Sequence, residues 1–213
     1  PLAPEYPMER LVFQVQDCQV PIILTQDRLR ERLTELRTPL VLLDADWSVI
    51  AKEPITNPPI INRGEHLAYV IYTSGTTGIP KAVGVQHNSI ADTYSVWSDV
   101  YQLTERRHVI LQMARMTFDV CIGDLIRALC SGGTLILCPE GHLLQPDKLI
   151  ETITQRGVTF ANFVPAVLRS LMTYITATGT WPASLQTVVV GADVWKVADA
   201  QAAHAVMPPD ARL

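Results

Sequence analysis

Between residues 73 and 81 the chain reads Thr73-Ser-Gly-Thr-Thr-Gly78, then Ile79, Pro80 and Lys81. Gly75 and Gly78 permit positive φ and close backbone approach. Thr73, Ser74, Thr76 and Thr77 set hydroxyl groups beside free backbone N–H groups, a nest that suits polyphosphate oxygens. Lys81 adds a positive charge, and Pro80 stiffens its approach. An ordinary polar strand-to-helix turn needs one or two such residues. Six in succession after an apolar strand, with a lysine three positions on, point to phosphate chemistry instead. The spacing is not that of a Walker A loop. Counted from Gly75, the second glycine would fall at Pro80, and Ala82 stands where Ser or Thr should follow the lysine.

Other chemistry-bearing residues are more scattered. Cys18, Cys121, Cys130 and Cys138 form no Cys-x-x-Cys pair and have no histidine at metal-ligand spacing. They read as small buried thiols of a reducing cytosol rather than a zinc site. His87 follows a strand and has both a structural and a functional reading. Asp119, taken alone, reads as the N-cap of a helix near 122–131. The chain is 213 residues long, 48% apolar and 18% charged, with a net charge of −4. That composition suits a sizeable core and offers no basic stripe for nucleic acid or an anionic membrane. No uncharged apolar run is long enough for a membrane span.

The elements that must position these residues alternate. Helices are expected at 7–17 and 27–37, with short strands at 21–25 and 40–44. Residues 52–65, rich in Pro, Asn and Gly, read as a linker and subdomain boundary. Strand 67–72 leads into the Gly/Thr loop. Ile90, Tyr94, Trp97 and Tyr101 mark an amphipathic helix over 89–101. Strands at 109–113, 134–138, 159–163 and 187–190 then alternate with helices near 122–131, 146–156, 165–176 and 194–206. The first of these helices should stop at Gly132-Gly133. Phe118 and Trp97 read as packing residues. The pattern predicts an α/β fold of parallel sheets with helices on both faces.

Leu67-Ala-Tyr-Val-Ile-Tyr-Thr-Ser-Gly-Thr-Thr-Gly-Ile-Pro-Lys81 resembles the phosphate-loop signature of adenylate-forming, AMP-binding enzymes. It is most similar to the adenylation domains of nonribosomal peptide synthetases. The resemblance spans the chain. Pro1-Leu-Ala-Pro-Glu-Tyr-Pro-Met-Glu-Arg10 is similar to an early family segment, Gln86-His87-Asn-Ser89 to a stretch after the loop, and Phe118-Asp-Val-Cys121 to a Phe-Asp-x-Ser motif. Asn162-Phe-Val-Pro165 and Val188-Val-Val-Gly-Ala-Asp193 are similar to two later segments. The departures are Ala82 for Gly, Cys121 for Ser, and Ala192-Asp193 for Gly-Glu. Ala82 should be tolerated unless its φ is positive.

This resemblance implies roles. Thr73, Ser74, Gly75, Thr76, Thr77, Gly78 and Lys81 would bind the ATP phosphates. Gly191, Ala192 and Asp193 would lie near the adenine. Asp119 would bind the substrate's α-ammonium group, a pairing that is strong in a dry pocket. Val120, Gly123, Asn162, Val189 and Gly191 would line the side-chain pocket, with room at Gly123 and a hydrogen-bonding amide at Asn162. The pocket then suggests a polar side chain, extended into the Gly123 space or hydroxylated. The implied cofactors are ATP and Mg²⁺, with phosphopantetheine on a partner carrier domain. The implied partners are peptidyl carrier and condensation domains, in the cytoplasm. An acyl- or aryl-CoA ligase, which needs no ammonium partner, is the alternative enzyme. A non-catalytic nucleotide-binding remnant is the alternative of another class.

On this reading the chain is part of a large domain: 1–64 a first α/β portion with its linker, and 65–213 the portion carrying the phosphate loop and amino-acid pocket. The family's Asn-x-Tyr-Gly-Pro-Thr-Glu segment, ribose-binding aspartate and small C-terminal domain are outside these residues. The isolated 213 residues are therefore expected to support little adenylation. A pyrophosphate-exchange assay should read near background, and robust turnover would refute the expectation.

Overall fold

The computed structural model describes residues 1–74 and 79–213. They form two compact units, residues 1–88 and 89–213. In the first, α1 (Met8–Asp17) starts behind Pro7 and buries Leu11, Gln14 and Val15. Leu11 and Val15 pack with Ile23, Leu33 and Leu36. Strands β1 (Ile23–Thr25) and β2 (Leu40–Leu42) pair in parallel. Residues 27–37, expected as one α-helix, instead form two 3₁₀ turns, Asp27–Leu29 and Glu31–Leu36. At three residues per turn Leu33 and Leu36 fall on one line, and both are buried. Arg37, at φ 53°, then turns the chain toward β2. A single further turn, α2 (Trp47–Ile50), has no periodic signal in the sequence. Residues 52–65 carry no regular element and belong to the first unit.

The strand before the Gly/Thr loop, β3 (Leu67–Thr73), does not lead into a helix. It turns back into β4 (Lys81–Gln86), and the two pair antiparallel, with Thr73 opposite Lys81. The parallel pairing expected from the alternation holds for β1 and β2, and this hairpin adds an antiparallel pair. The period-2 signal of β4 is faint because all its residues but Val85 are exposed. An antiparallel pair needs only one covered face, and β3 itself buries only Ile71 fully.

The second unit follows the expected alternation closely. Most of helix α3 (His87–Tyr101) lies in it, and the partly buried Ile90, Tyr94, Trp97 and Tyr101 share one face. Strands β5 (Val109–Gln112), β6 (Thr134–Leu137), β7 (Phe160–Phe163) and β8 (Thr187–Val190) form a parallel sheet in the order β6-β5-β7-β8. They alternate with α4 (Asp119–Cys130), α5 (Pro146–Gln155), α6 (Pro165–Thr178) and α7 (Val197–Val206). Both faces of the sheet are covered. Ile110 and Phe160 pack with Ala128 of α4 and Tyr101 of α3. Leu111, Ala161, Phe163 and Val188 point the other way, toward Leu149 and Ile153 of α5, Leu168 and Leu171 of α6, and Ala203 of α7. Alternate side chains of one strand thus serve two cores, and the strands read as unbroken apolar runs.

Helix α4 ends where the glycine pair predicts. Gly132 adopts φ +68°, and a Cβ there would touch nothing. Gly133 is a close approach: a Cβ would lie 2.5 Å from the His108 carbonyl oxygen and 3.1 Å from that of Ala128. The same His108 carbonyl accepts the Thr134 N–H at 2.9 Å and begins the β5–β6 ladder. Gly133→Ala is expected to cost about 2 kcal/mol or more through overpacking against fixed backbone. Gly132→Ala should cost roughly 1 kcal/mol through the left-handed penalty alone. Urea-unfolding midpoints of the two variants check the order.

Candidate functional site

The phosphate-loop stem is built by the β3–β4 hairpin. Thr73 and Lys81 pair across the ladder, and the Thr73 hydroxyl donates to the Lys81 carbonyl at 3.5 Å. Gly75, Thr76, Thr77 and Gly78 lie outside the described residues. Thr73, Ser74 and Lys81 are exposed, and the Ser74 hydroxyl and Lys81 ammonium are open to an incoming anion. Just before them, the Tyr72 hydroxyl donates to Asp17 at 2.6 Å and lies 3.1 Å from the Cys18 sulfur. Burial, then the hydrogen bond to Asp17, pushes that phenol well above its ordinary value, so it stays a neutral donor. The clamp fixes the end of β3 to the end of α1. Ala82 pairs with Tyr72 in the ladder and has no positive φ. The methyl it carries in place of the family's glycine therefore meets no backbone penalty. His87 begins α3, where its N–H donates to the His66 carbonyl at 3.1 Å.

The second unit contains a cavity of about 340 Å³ at the carboxyl ends of its parallel strands. Met113, Ala114 and Arg115 follow β5, Val164 follows β7, and Gly191 and Ala192 follow β8. Phe118 and Val120 contribute from the start of α4, Val167 from α6, and Leu143 from the connection after β6. The position has a topological cause. From β5 the chain leaves through α4 on one face, toward β6. From the adjacent β7 it leaves through α6 on the other face, toward β8. Where neighbouring connections part to opposite faces, a crevice opens, and in open α/β sheets that crevice is the usual ligand site. Its walls are mostly apolar, with Asn162 and Arg115 as the polar side chains.

Of the residues expected around the amino acid and adenine, the crevice gathers Val120, Asn162, Gly191 and Ala192. Gly191 donates its N–H to the Phe163 carbonyl at 3.1 Å, and a Cβ on it would meet nothing within 4 Å. Asp119 is exposed and is the first residue of α4. The N-cap is Phe118, which overturns the capping reading of Asp119. Phe118, expected to pack, is 57% exposed and lines the crevice. Asp193 is exposed and accepts the Val194 N–H at 2.7 Å. Ala192 holds φ 68°, a left-handed conformation that favours the glycine of related sequences. Val189 packs with the opposite core, beside Phe160.

Gly123 does not open space. It is buried, and a Cβ on it would lie 3.1 Å from Cη2 of Trp97 and 3.3 Å from both terminal nitrogens of Arg127. Arg127 is buried with Asp124, their charged atoms 2.7 Å apart. Its guanidinium lies 4.2 Å from the centroid of Trp97 and 5.5 Å from that of Phe160. Sequence spacing could have found this pair, since Asp124 and Arg127 are three apart on the buried face of α4. Arg115 and Met113 had no comparable signal. They are recruited by the end of β5. Among the described residues no group of three or more His, Cys, Asp or Glu could hold a metal ion.

The sequence model of the AMP-binding enzymes matches residues 1–213. The chain belongs to that family. Tyrocidine synthase 3 of Brevibacillus parabrevis is 35% identical over 193 residues, covering 91% of this chain and 3% of that protein. Gramicidin S synthase 2 of Brevibacillus brevis is 35% identical over 199 residues, covering 93% and 4%. The chain thus spans a few hundredths of these relatives' lengths. The solved nonribosomal peptide synthetase FmoA3, in its alpha-methyl-L-serine-AMP-bound form, shares the fold with a TM-score of 0.80 and 27% identity, over 94% of this chain and 22% of that one. The N-terminal domain of FACL13 from Mycobacterium tuberculosis has a TM-score of 0.80 at 19% identity, which shows the shared fold alone.

Burial pushes the Asp124 carboxyl up to about 6 from its ordinary 3.8, against the lowering effect of Arg127. The folded chain therefore holds the Asp124 proton more tightly than the unfolded chain does. Between about pH 4 and pH 6 the stability from this group falls as pH rises. The stability of the parent relative to Asp124→Asn should decline across that window, read as the difference between urea midpoints at pH 4.5 and 6.5.

Proposed function

We propose that this chain is part of an adenylate-forming ligase that activates an amino acid with ATP. What supports the reading is the switch-point crevice lined by Val120, Asn162 and Gly191, beside Asp119 at the start of α4. The alpha-methyl-L-serine-AMP bound by the related synthetase FmoA3 is an activated amino acid of the same kind. In the reaction, a carboxylate oxygen of the amino acid attacks the α-phosphorus of ATP. The bond to the β-phosphate oxygen breaks, giving an aminoacyl-adenylate and pyrophosphate.

The residues take separate parts. Thr73, Ser74, Gly75, Thr76, Thr77, Gly78 and Lys81 hold the β- and γ-phosphates, and the hydroxyl and ammonium donors of the stem suit that anion. Asp119 pairs with the α-ammonium group. The first turn of a helix is a favourable place for its negative charge. Val120, Asn162 and Gly191 contact the side chain, while Ala192 and Asp193 lie toward the adenine. Mg²⁺, when bound, neutralises phosphate charge. Such positioning and charge compensation supply most of the catalysis in reactions of this type. In the whole protein the acyl group then passes to a phosphopantetheine thiol on a carrier domain, with a condensation domain as the next partner.

The apolar walls of the crevice also suit an acyl- or aryl-CoA ligase. Asp119 separates the two readings. In the complete protein, Asp119→Ala should reduce amino-acid-dependent pyrophosphate exchange by at least about a hundredfold, the scale of a lost desolvated charge pair. Unchanged exchange would remove Asp119 as the ammonium partner. A panel of amino acids against fatty and aryl acids, run on the same protein, tests the substrate class.

A further inference from the structure

Helix α1 ends on a residue that its own electrostatics do not favour. Asp17 is the last residue of the helix, and the last turn carries no basic side chain. The carboxyl end of a helix is the negative pole of its dipole, so a carboxylate there is locally unfavourable. Among the described residues no cation forms an ion pair with Asp17. It accepts instead the Tyr72 hydroxyl, at 2.6 Å and across 55 residues of chain. A local conflict of this kind is expected where a side chain serves a site rather than its own element.

The end of α1 grips the same phenol in two further ways. Phe13 meets the ring edge-on, with centroids 6.0 Å apart. The Cys18 sulfur lies 3.1 Å from the hydroxyl oxygen. A phenol has one proton, and the short contact with a carboxylate takes it. The oxygen is then left to accept the Cys18 S–H. Tyr72 directly precedes Thr73. It pairs with Ala82, and Thr73 pairs with Lys81. Side chains alternate along a strand, so a grip on Tyr72 from one face sets the orientation of the stem and leaves the face of Thr73 uncovered.

We propose that Asp17 is a positioning residue for the phosphate-binding stem: by holding the Tyr72 hydroxyl it sets the Ser74 hydroxyl and the Lys81 ammonium in place for the β- and γ-phosphates of ATP. This rests on the adenylate-forming reading of the stem. Asp17 acts through Tyr72, touches no reacting atom and takes no part in the chemical step. The stem holds the phosphates both before and during that step, so loss of the grip shows in KM for ATP rather than in kcat.

The test uses the complete protein in pyrophosphate exchange. Tyr72→Phe, which keeps the ring, and Asp17→Ala should each raise KM for ATP by roughly tenfold, the scale of one hydrogen bond to a charged group. KM for the amino acid should stay unchanged. Asp17→Asn keeps an oxygen that accepts the phenol proton and should recover most of the loss. The double variant Tyr72→Phe/Asp17→Ala should be no worse than either single one, because both remove the same contact. A grip that served stability alone would lower the urea midpoint and leave KM for ATP unmoved. That result overturns the proposal, as does a double variant whose losses add. A second measurement needs no turnover. Tyr72→Phe should weaken the binding of inorganic pyrophosphate in calorimetry and leave that of AMP unchanged, and equal weakening of both overturns the proposal. Absence of any exchange in the unmodified protein overturns the underlying reading instead.

Discussion

A parallel sheet buried on both faces constrains everything in the second unit. Its strands carry apolar side chains in both directions, so helices must cover both sides, and each connection must choose one. The connection from β5 takes the α4 side and the connection from β7 takes the α6 side. That parting leaves the crevice at the carboxyl ends of β5, β7 and β8 without any residue being needed to excavate it. The same geometry brings Val120, Asn162 and Gly191, which are far apart in the chain, to one wall.

The buried charges of α4 belong to the same constraint. Asp124 and Arg127 sit on the buried face of the helix, where leucine or valine would ordinarily go. Removing two charges from water is costly, and the ion pair alone seldom offsets it. Here the guanidinium also lies against two aromatic rings. Even so, Asp124 Oδ2 and Arg127 Nε have no hydrogen-bond partner among the described residues. The raised Asp124 value is the electrostatic sign of this incomplete compensation. The guanidinium and the Trp97 indole together fill the space beside Gly123.

The first unit obeys a looser rule. Its hairpin needs only one covered face, so β4 reads as polar and gives no strand signal of its own. The hairpin matters because it holds Thr73 against Lys81 and closes the stem of the Gly/Thr loop. Tyr72 ties that stem to α1 through Asp17, a contact across 55 residues that no local pattern announces.

Residue order alone was enough for the family and for the alternation of strands and helices in 109–206. Those signals are local: residue types in a short run, or apolar periodicity along one element. Packing in three dimensions set the rest. It turned 27–37 into two 3₁₀ turns because Leu33 and Leu36 had to share one core. It paired β3 antiparallel with β4, a strand the sequence pattern did not mark. It made Asp119 a first-turn residue, with Phe118 at the N-cap position and no side-chain cap there. It also reversed the meaning of Gly123, from open space to a close contact with Trp97 and Arg127. A missing side chain in a sequence marks only where an atom is absent from that residue. Whether the space is empty depends on which other element packs there, and that is a property of the fold.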